Sequence, residues 1–303
     1  MPTYPTPGPV DVAIDVEVAD VTVTASDRTD AVVDVRPTDA SHGPDVRAAE
    51  QVTVELVAGR LLVRAPRSRR VVRFGPVGSI QVRVEVPAGS QVQGEGAAAT
   101  FRCAGPLADC RLKTGAGTFE IESAGNVDLT SGAGSIVVDR SSGAVDIKTG
   151  SGPVRVGSAG GRAAIRSANG DSWIGRAGGE VRIQTANGNV TVDSAAGDLV
   201  ARTAHGDVRV GEVRRGTSSL KSAMGRIEVG VLAGTAAHLD VHTHFGSVRS
   251  DLDAADGPAA SDAIVAIEAR TGFGDIIIHR VPAPAGATEP PGEAQSQGSR
   301  RTR

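Results

Sequence analysis

Aromatic side chains are nearly missing from this 303-residue chain, which has five Phe, one Tyr and one Trp, 2% of the sequence. An enzyme of this length ordinarily draws on aromatics for core volume and pocket walls. Their scarcity argues against a deep substrate cleft. Cysteine is scarce too, with only Cys103 and Cys110, so no disulfide framework is expected. No stretch approaches 18 consecutive apolar residues, and no transmembrane helix or direct membrane insertion is expected. The opening MPTYPTPGPV has neither the basic start nor the apolar core of a signal peptide, which makes the cytoplasm the expected location. A formal net charge of −3 is too small to steer the chain toward nucleic acid.

What is present is aliphatic and repetitive. The apolar fraction is 40%, carried by Val, Ile, Leu and Ala, and there are 39 glycines. Short turns recur as TGAG, SGAG, TGSG, SANG, TANG, TAHG and SAMG. Their closing glycines are Gly117, Gly134, Gly152, Gly170, Gly188, Gly206 and Gly225, spaced by 17 to 19 residues. A second series, Gly125, Gly143, Gly161, Gly179, Gly197 and Gly216, runs half a period out of phase. Between the glycines, apolar residues alternate with polar ones: Val127 and Leu129, Val145 and Ile147, Val181 and Ile183 in one half, Phe119 and Ile121, Ile136 and Val138, Val154 and Val156 in the other. Period-two alternation marks a strand with one buried face.

Each 18-residue unit therefore reads as strand, turn, strand, turn, too small to bury its inner face alone. Stacking units at the inter-strand spacing of about 4.8 Å solves this, with like residues forming aliphatic ladders. The expected fold is an all-β, single-domain β-solenoid with coils of about 18 residues, two short strands per coil, and an irregular strand-rich N-terminal part. Two parallel sheets are the leading arrangement, and an antiparallel hairpin array of the same period is the alternative.

The expected boundaries are an N-terminal tail at 1–8, the repeat domain at 9–281 with its regular part at about 100–250, and a disordered tail at 282–303. Within the domain, residues 10–24, 31–35, 52–63 and 80–86 read as strands, and DASHGPDVRAAEQ holds one short helix. DLDAADGPAASD reads as a loop, followed by a last hairpin of 263–270 and 275–280.

Several residues invite a functional reading. Calcium-binding β-rolls share the 18-residue period but need a turn Asp in every half-repeat. The matching positions here hold Val137, Arg155, Trp173, Thr191 and Arg209, so the carboxylate ligands of that pattern are missing. His238, His242 and His244 share one strand face with Asp240 and are the only metal candidates, set against the plainer reading of exposed strand histidines. Trp173 falls at an outward position, where it marks an interaction surface or packs beneath a terminal segment, the latter favoured. Arg155 and Arg209, at the same repeat position, are partner-binding candidates with it. Arg67, Arg69 and Arg70, within RAPRSRRVVR, make a basic cluster for an acidic partner, or a solvated hairpin loop. Cys103 and Cys110 fit buried free thiols. Ser172 in GDSWIG lacks the spacing of a nucleophile elbow and any partner His and acid the sequence can nominate. No cofactor loop and no catalytic residue is identified.

The (T/S)-x-x-G-x-h-x-h units, the VRRG turn at 213–216 and the closing TGFGDIIIHR resemble the actinobacterial β-strand-repeat proteins often labelled "putative adhesins", the group also called the toastrack domain. The resemblance runs from about residue 8 to 281. It implies a repeat architecture without established catalysis, and a ligand- or partner-sensing role linked to envelope stress. The combined expectation is a non-enzymatic binding or scaffold module offering a strand face or sheet edge to a protein partner, with self-association through unpaired coil ends as a variant. An exported adhesin and a carbohydrate-active β-helix enzyme are the alternatives.

Overall fold

The computed structural model describes residues 3–66, 78–252 and 263–282. Strands carry nearly all of it, and they belong to one continuous sheet wound round an axis. Neighbouring coils pair in parallel with an offset of 18. Val154 lies against Ser172 and Val190 against Val208 in one arm; Val145 lies against Ala163 and Val181 against Leu199 in the other. This register decides for parallel coils over stacked hairpins.

The winding begins at Gln91. The strand Gln91–Ala116 is long enough to make a full turn and lap itself. Ala108 N–H donates to Ser90 O at 3.0 Å, and a Cβ on Gly115 would stand 2.6 Å from Ala97 O, eighteen residues back. Every inner pair read from the alternation is buried: Val127 and Leu129, Ile136 and Val138, Val145 and Ile147, Val181 and Ile183 are at most 2% exposed. Phe101 and Phe119 stack in one inner column with centroids 5.8 Å apart. Gly94 makes room for them, since a Cβ there would meet the Phe101 ring at 2.6 Å.

The recurring turn has a physical explanation on both of its defined residues. Gly188 has φ +142°, and an added Cβ would stand 2.2 Å from the Gly170 carbonyl of the preceding coil. Only glycine meets both demands. The Ser or Thr three residues earlier points inward and donates to a turn carbonyl: Ser131 Oγ to Ala133 O at 3.1 Å, Thr203 Oγ1 to Gly188 O at 3.1 Å, Ser222 Oγ to Gly206 O at 3.0 Å. A short inward hydroxyl thus satisfies its own buried donor on a turn carbonyl, which in the case of Ala133 O also accepts the Gly117 N–H at 2.9 Å.

At both ends, spatial order departs from chain order. Asp11–Ser26 lies between the regular coil, through Gln91–Ala116, and an outer layer made by Arg60–Arg64 and Ile80–Pro87. Beyond that layer the pairing turns antiparallel, with Asp30–Pro37 on Ile80–Pro87 and Thr53–Val57 on Arg60–Arg64. Thr3–Pro5, at positions read as tail, pairs antiparallel with 30–32. The expected helix is present as Gly43–Glu50. Its Asp45 accepts the Ser79 N–H at 3.0 Å and the Asp39 N–H at 3.1 Å, and meets His42 Nδ1 at 2.8 Å. The Ser79 N–H foremost, then His42, holds the Asp45 carboxyl below its ordinary pKa.

At the other end, the expected closing hairpin is not one. Ala263–Phe273 and Ile276–Val281 are the two arms of a coil that inserts between Gly216–Leu232 and Thr235–Ser250, parallel to both. A TGFG turn looks the same whether it reverses a hairpin or rounds a solenoid corner. The loop DLDAADGPAASD is described only at 251–252, and the C-terminal tail only at 282; the rest of each lies outside the described residues.

Candidate protein-interaction surfaces

The first surface is the outward column Val137, Arg155, Trp173, Thr191, Arg209, Glu228, placed in consecutive coils by the 18-residue register. It brings together Arg155, Trp173 and Arg209. The Trp173 indole lies over Gly175, where an added Cβ would be 2.9 Å from its Cη2. Its Nε1–H donates to Asp193 Oδ1 at 3.2 Å, and Arg155 Cζ sits 3.9 Å from the ring centroid. These contacts come from its own coil and the two beside it, so among the described residues the indole packs on its own sheet, with no terminal segment over it. Arg209 pairs with Glu228 at 3.8 Å, a solvated contact of small energetic weight. Arg67, Arg69 and Arg70 lie outside the described residues.

Ser172 is buried, and its Oγ has no hydrogen-bond partner among the described residues. It occupies a position that is Val154 and Val190 in adjacent coils. Cys103 and Cys110 are buried free thiols, and Cys110 is pushed up in pKa by its contact with Cys103 and by burial. Burial keeps both thiols away from solvent.

His238, Asp240, His242 and His244 do share one exposed face, on Thr235–Phe245. The His242 and His244 rings meet edge to face at 5.0 Å, and Asp240 pairs with Arg270 at 3.0 Å. Among the described residues, no group of three His, Cys, Asp or Glu side chains could hold a metal ion.

The second surface is the C-terminal end of the stack; sequence reasoning anticipated an unpaired coil end but did not locate it or the apolar ridge beside it. Among the described residues, Thr235–Phe245 and Val248–Ser250 pair on one side only. Their inward residues Ala237, Leu239 and Val241 are half-buried, and among the described residues no further coil covers them. Beside this edge, Met224, Phe273 and Phe245 stack in consecutive layers and are 46%, 56% and 65% exposed. The two Phe rings are parallel within 6° at 4.8 Å. The same column holds Ser151, Asn169, Asn187 and His205 in earlier coils. The signal was available as the residue before the turn glycine, which changes from Ser, Asn or His to Met and Phe.

The Toastrack DUF4097 profile matches residues 11–272. The chain belongs to this family. No curated protein matches this Toastrack chain. Among solved structures it is similar to a "putative adhesin" from Parabacteroides merdae, at 14% identity and TM-score 0.36, covering 92% of this chain and 95% of that one. A "putative adhesin" from Bacteroides fragilis gives 12% and 0.34 over the same shares. A "putative lipid binding protein" from Parabacteroides distasonis gives 12% and 0.30, again over 92% and 95%. Likenesses at this level carry no argument about what this Toastrack chain binds.

Proposed function

We propose that this Toastrack chain is a non-enzymatic docking module whose protein partner adds to the open C-terminal end of the coil. One observation carries the reading. An 11-residue strand with a single neighbour among the described residues lies beside a ridge of three exposed apolar side chains. An unpaired edge supplies main-chain donors and acceptors for an added strand, and an adjacent apolar ridge supplies contact energy. The charge-mixed outer column with Trp173 runs along the other arm of the coil. The family resemblance extends the proposal to partner sensing in envelope stress, from the cytoplasmic side, with a membrane sensor or transcription regulator as the partner.

The test is light cross-linking in living cells, followed by tagged recovery of the wild type and of a Met224→Ser, Phe245→Ser, Phe273→Ser variant. These side chains are exposed, so the variant should melt with the wild type. Loss of one dominant partner from the variant supports the reading. Equal recovery from both sinks it. Fractionation of the same cells checks the cytoplasmic placement.

A further inference from the structure

This inference rests on the docking reading above and divides its surface: the ridge of Met224, Phe273 and Phe245 is left to the sensor or regulator, and the geometry of the strand edge beside it names an occupant of its own. We propose that it is a second copy of the same chain, joined by antiparallel pairing of the two Thr235–Phe245 strands about a two-fold axis at Leu239.

The first argument is the direction of the backbone groups. In this arm, Val145, Ala163 and Val181 each donate their N–H to the following coil, to Arg162, Glu180 and Asp198 carbonyls at 2.8–2.9 Å. Register carries that position through Leu199, Ser218 and Ile267 to Leu239. By alternation, Ala237, Leu239 and Val241 therefore turn their N–H and C=O groups toward the coil that would come next. Among the described residues there is none.

The second argument is the self-complementarity of the strand. Antiparallel partners obey a constant sum of residue numbers, so only a few registers use these groups. With the axis at Leu239, Asp240 of each copy stands opposite His238 of the other, twice, and no like charges face each other. With the axis at Asp240, two carboxylates meet. With the axis at Val241, His238 meets His244. The even-numbered residues form the non-hydrogen-bonded pairs, in which side chains approach most closely. Asp240 is held by Arg270 at 3.0 Å on its own coil, and the incoming His238 approaches from the open side.

The third argument is continuity of the core. The Leu239 register places Leu239 against Leu239 and Ala237 against Val241, so the half-buried inner ladder of one copy continues into the other. The contact is isologous and closes as a dimer, not a fibre.

Sedimentation equilibrium of the full chain at several concentrations is the test. The wild type should be dimeric. Leu239→Pro removes one outward N–H without removing a hydrogen bond to the neighbouring strand. Asp240→Lys places a cation opposite His238 and beside Arg270. Each should weaken the dimer roughly 100-fold, with thermal melting run on the same samples to show that the coil is folded. The double variant His238→Glu, Asp240→Lys should restore the dimer, because the charges then match only in this register. A dimer indifferent to these changes, or one the double variant fails to restore, overturns the proposal. A wild-type monomer at every concentration overturns it too. In that case, loss of a different protein from the Met224, Phe245, Phe273 variant leaves the docking reading standing, and no loss removes both.

Discussion

The two ends of this solenoid meet the same problem in opposite ways. A stack of parallel coils has an exposed strand edge at each end, and such edges pair readily with other chains. At the N-terminal end the ladder turns antiparallel, splits into the short strands Thr53–Val57 and Thr3–Pro5, and carries the helix Gly43–Glu50. At the C-terminal end the ladder stays parallel to its last described strand, which is 11 residues long. The comparison teaches that a repeat protein needs an irregular sequence where it is to stop. An end that keeps the repeat's own strand geometry remains competent to pair.

The sharpest test of the contrast lies in how rigidly each part is specified. Gly188→Val, in mid-stack, combines a φ of +142° with a backbone carbonyl 2.2 Å from the new Cβ. It should cost about 4 kcal/mol or more in denaturant unfolding. Gly234→Ala, in the turn just before the last strand, has φ +79° with nothing within 4 Å. It should cost only about 1–2 kcal/mol. Similar costs at the two sites would mean that the turn glycines are not required by coil stacking.

Side-chain truncation gives the next largest effect. Ile183→Ala removes a fully buried rung and should destabilise by about 2–5 kcal/mol. Leu239→Ala, half-buried on the last coil, should cost about 1 kcal/mol or less in the monomer. If Leu239→Ala cost as much as Ile183→Ala, the end would be covered, and the open-end comparison would fail.

Ser172→Val should act in the other direction. It replaces a buried hydroxyl lacking a partner among the described residues with the side chain found at Val154 and Val190. A gain of about 1 kcal/mol is expected. A loss would show that the hydroxyl is satisfied, or that the small Ser is needed for packing.

Acid should loosen both ends. Asp45 at one end is lowered in pKa first by the Ser79 N–H, and Asp275 at the other first by the Ser247 N–H and then its hydroxyl. A carboxylate with a folded pKa below its unfolded value contributes stability above the unfolded pKa, and that contribution is lost as pH falls through the folded pKa. Hydrogen exchange at Ser79 and Ser247 should therefore rise as the pH drops below the ordinary carboxylate range. Asp45→Asn and Asp275→Asn should each flatten that dependence at their own end only.

Much of the repeat was legible because its signals are local. Alternation at Val145 and Ile147 or Val190 and Val192 names the buried face, and the spacing of Gly152, Gly170 and Gly188 names the period. What could not be read locally was the neighbour across a gap in sequence. Ala263–Phe273 reads as half of a hairpin until the register places it between Gly216–Met224 and Thr235–Phe245. Trp173 reads as a residue to be covered until Gly175 and Asp193, in and beyond its own coil, are seen to hold it. In sequence, Met224, Phe245 and Phe273 share only their place before a turn glycine, 21 and 28 positions apart. They become one feature only when their coils are stacked out of chain order.

The sequence by itself determined the coil: its length, its inner face and the glycine at each corner follow from strand alternation and from steric limits acting within about 18 residues. The tertiary structure alone decided the order of the coils at the two ends, and so which edge is closed and which is left open. The physical reason is that parallel pairing is nearly interchangeable among like strands. Where a strand joins the stack depends on long-range register and on the loops that allow it, which no local pattern records.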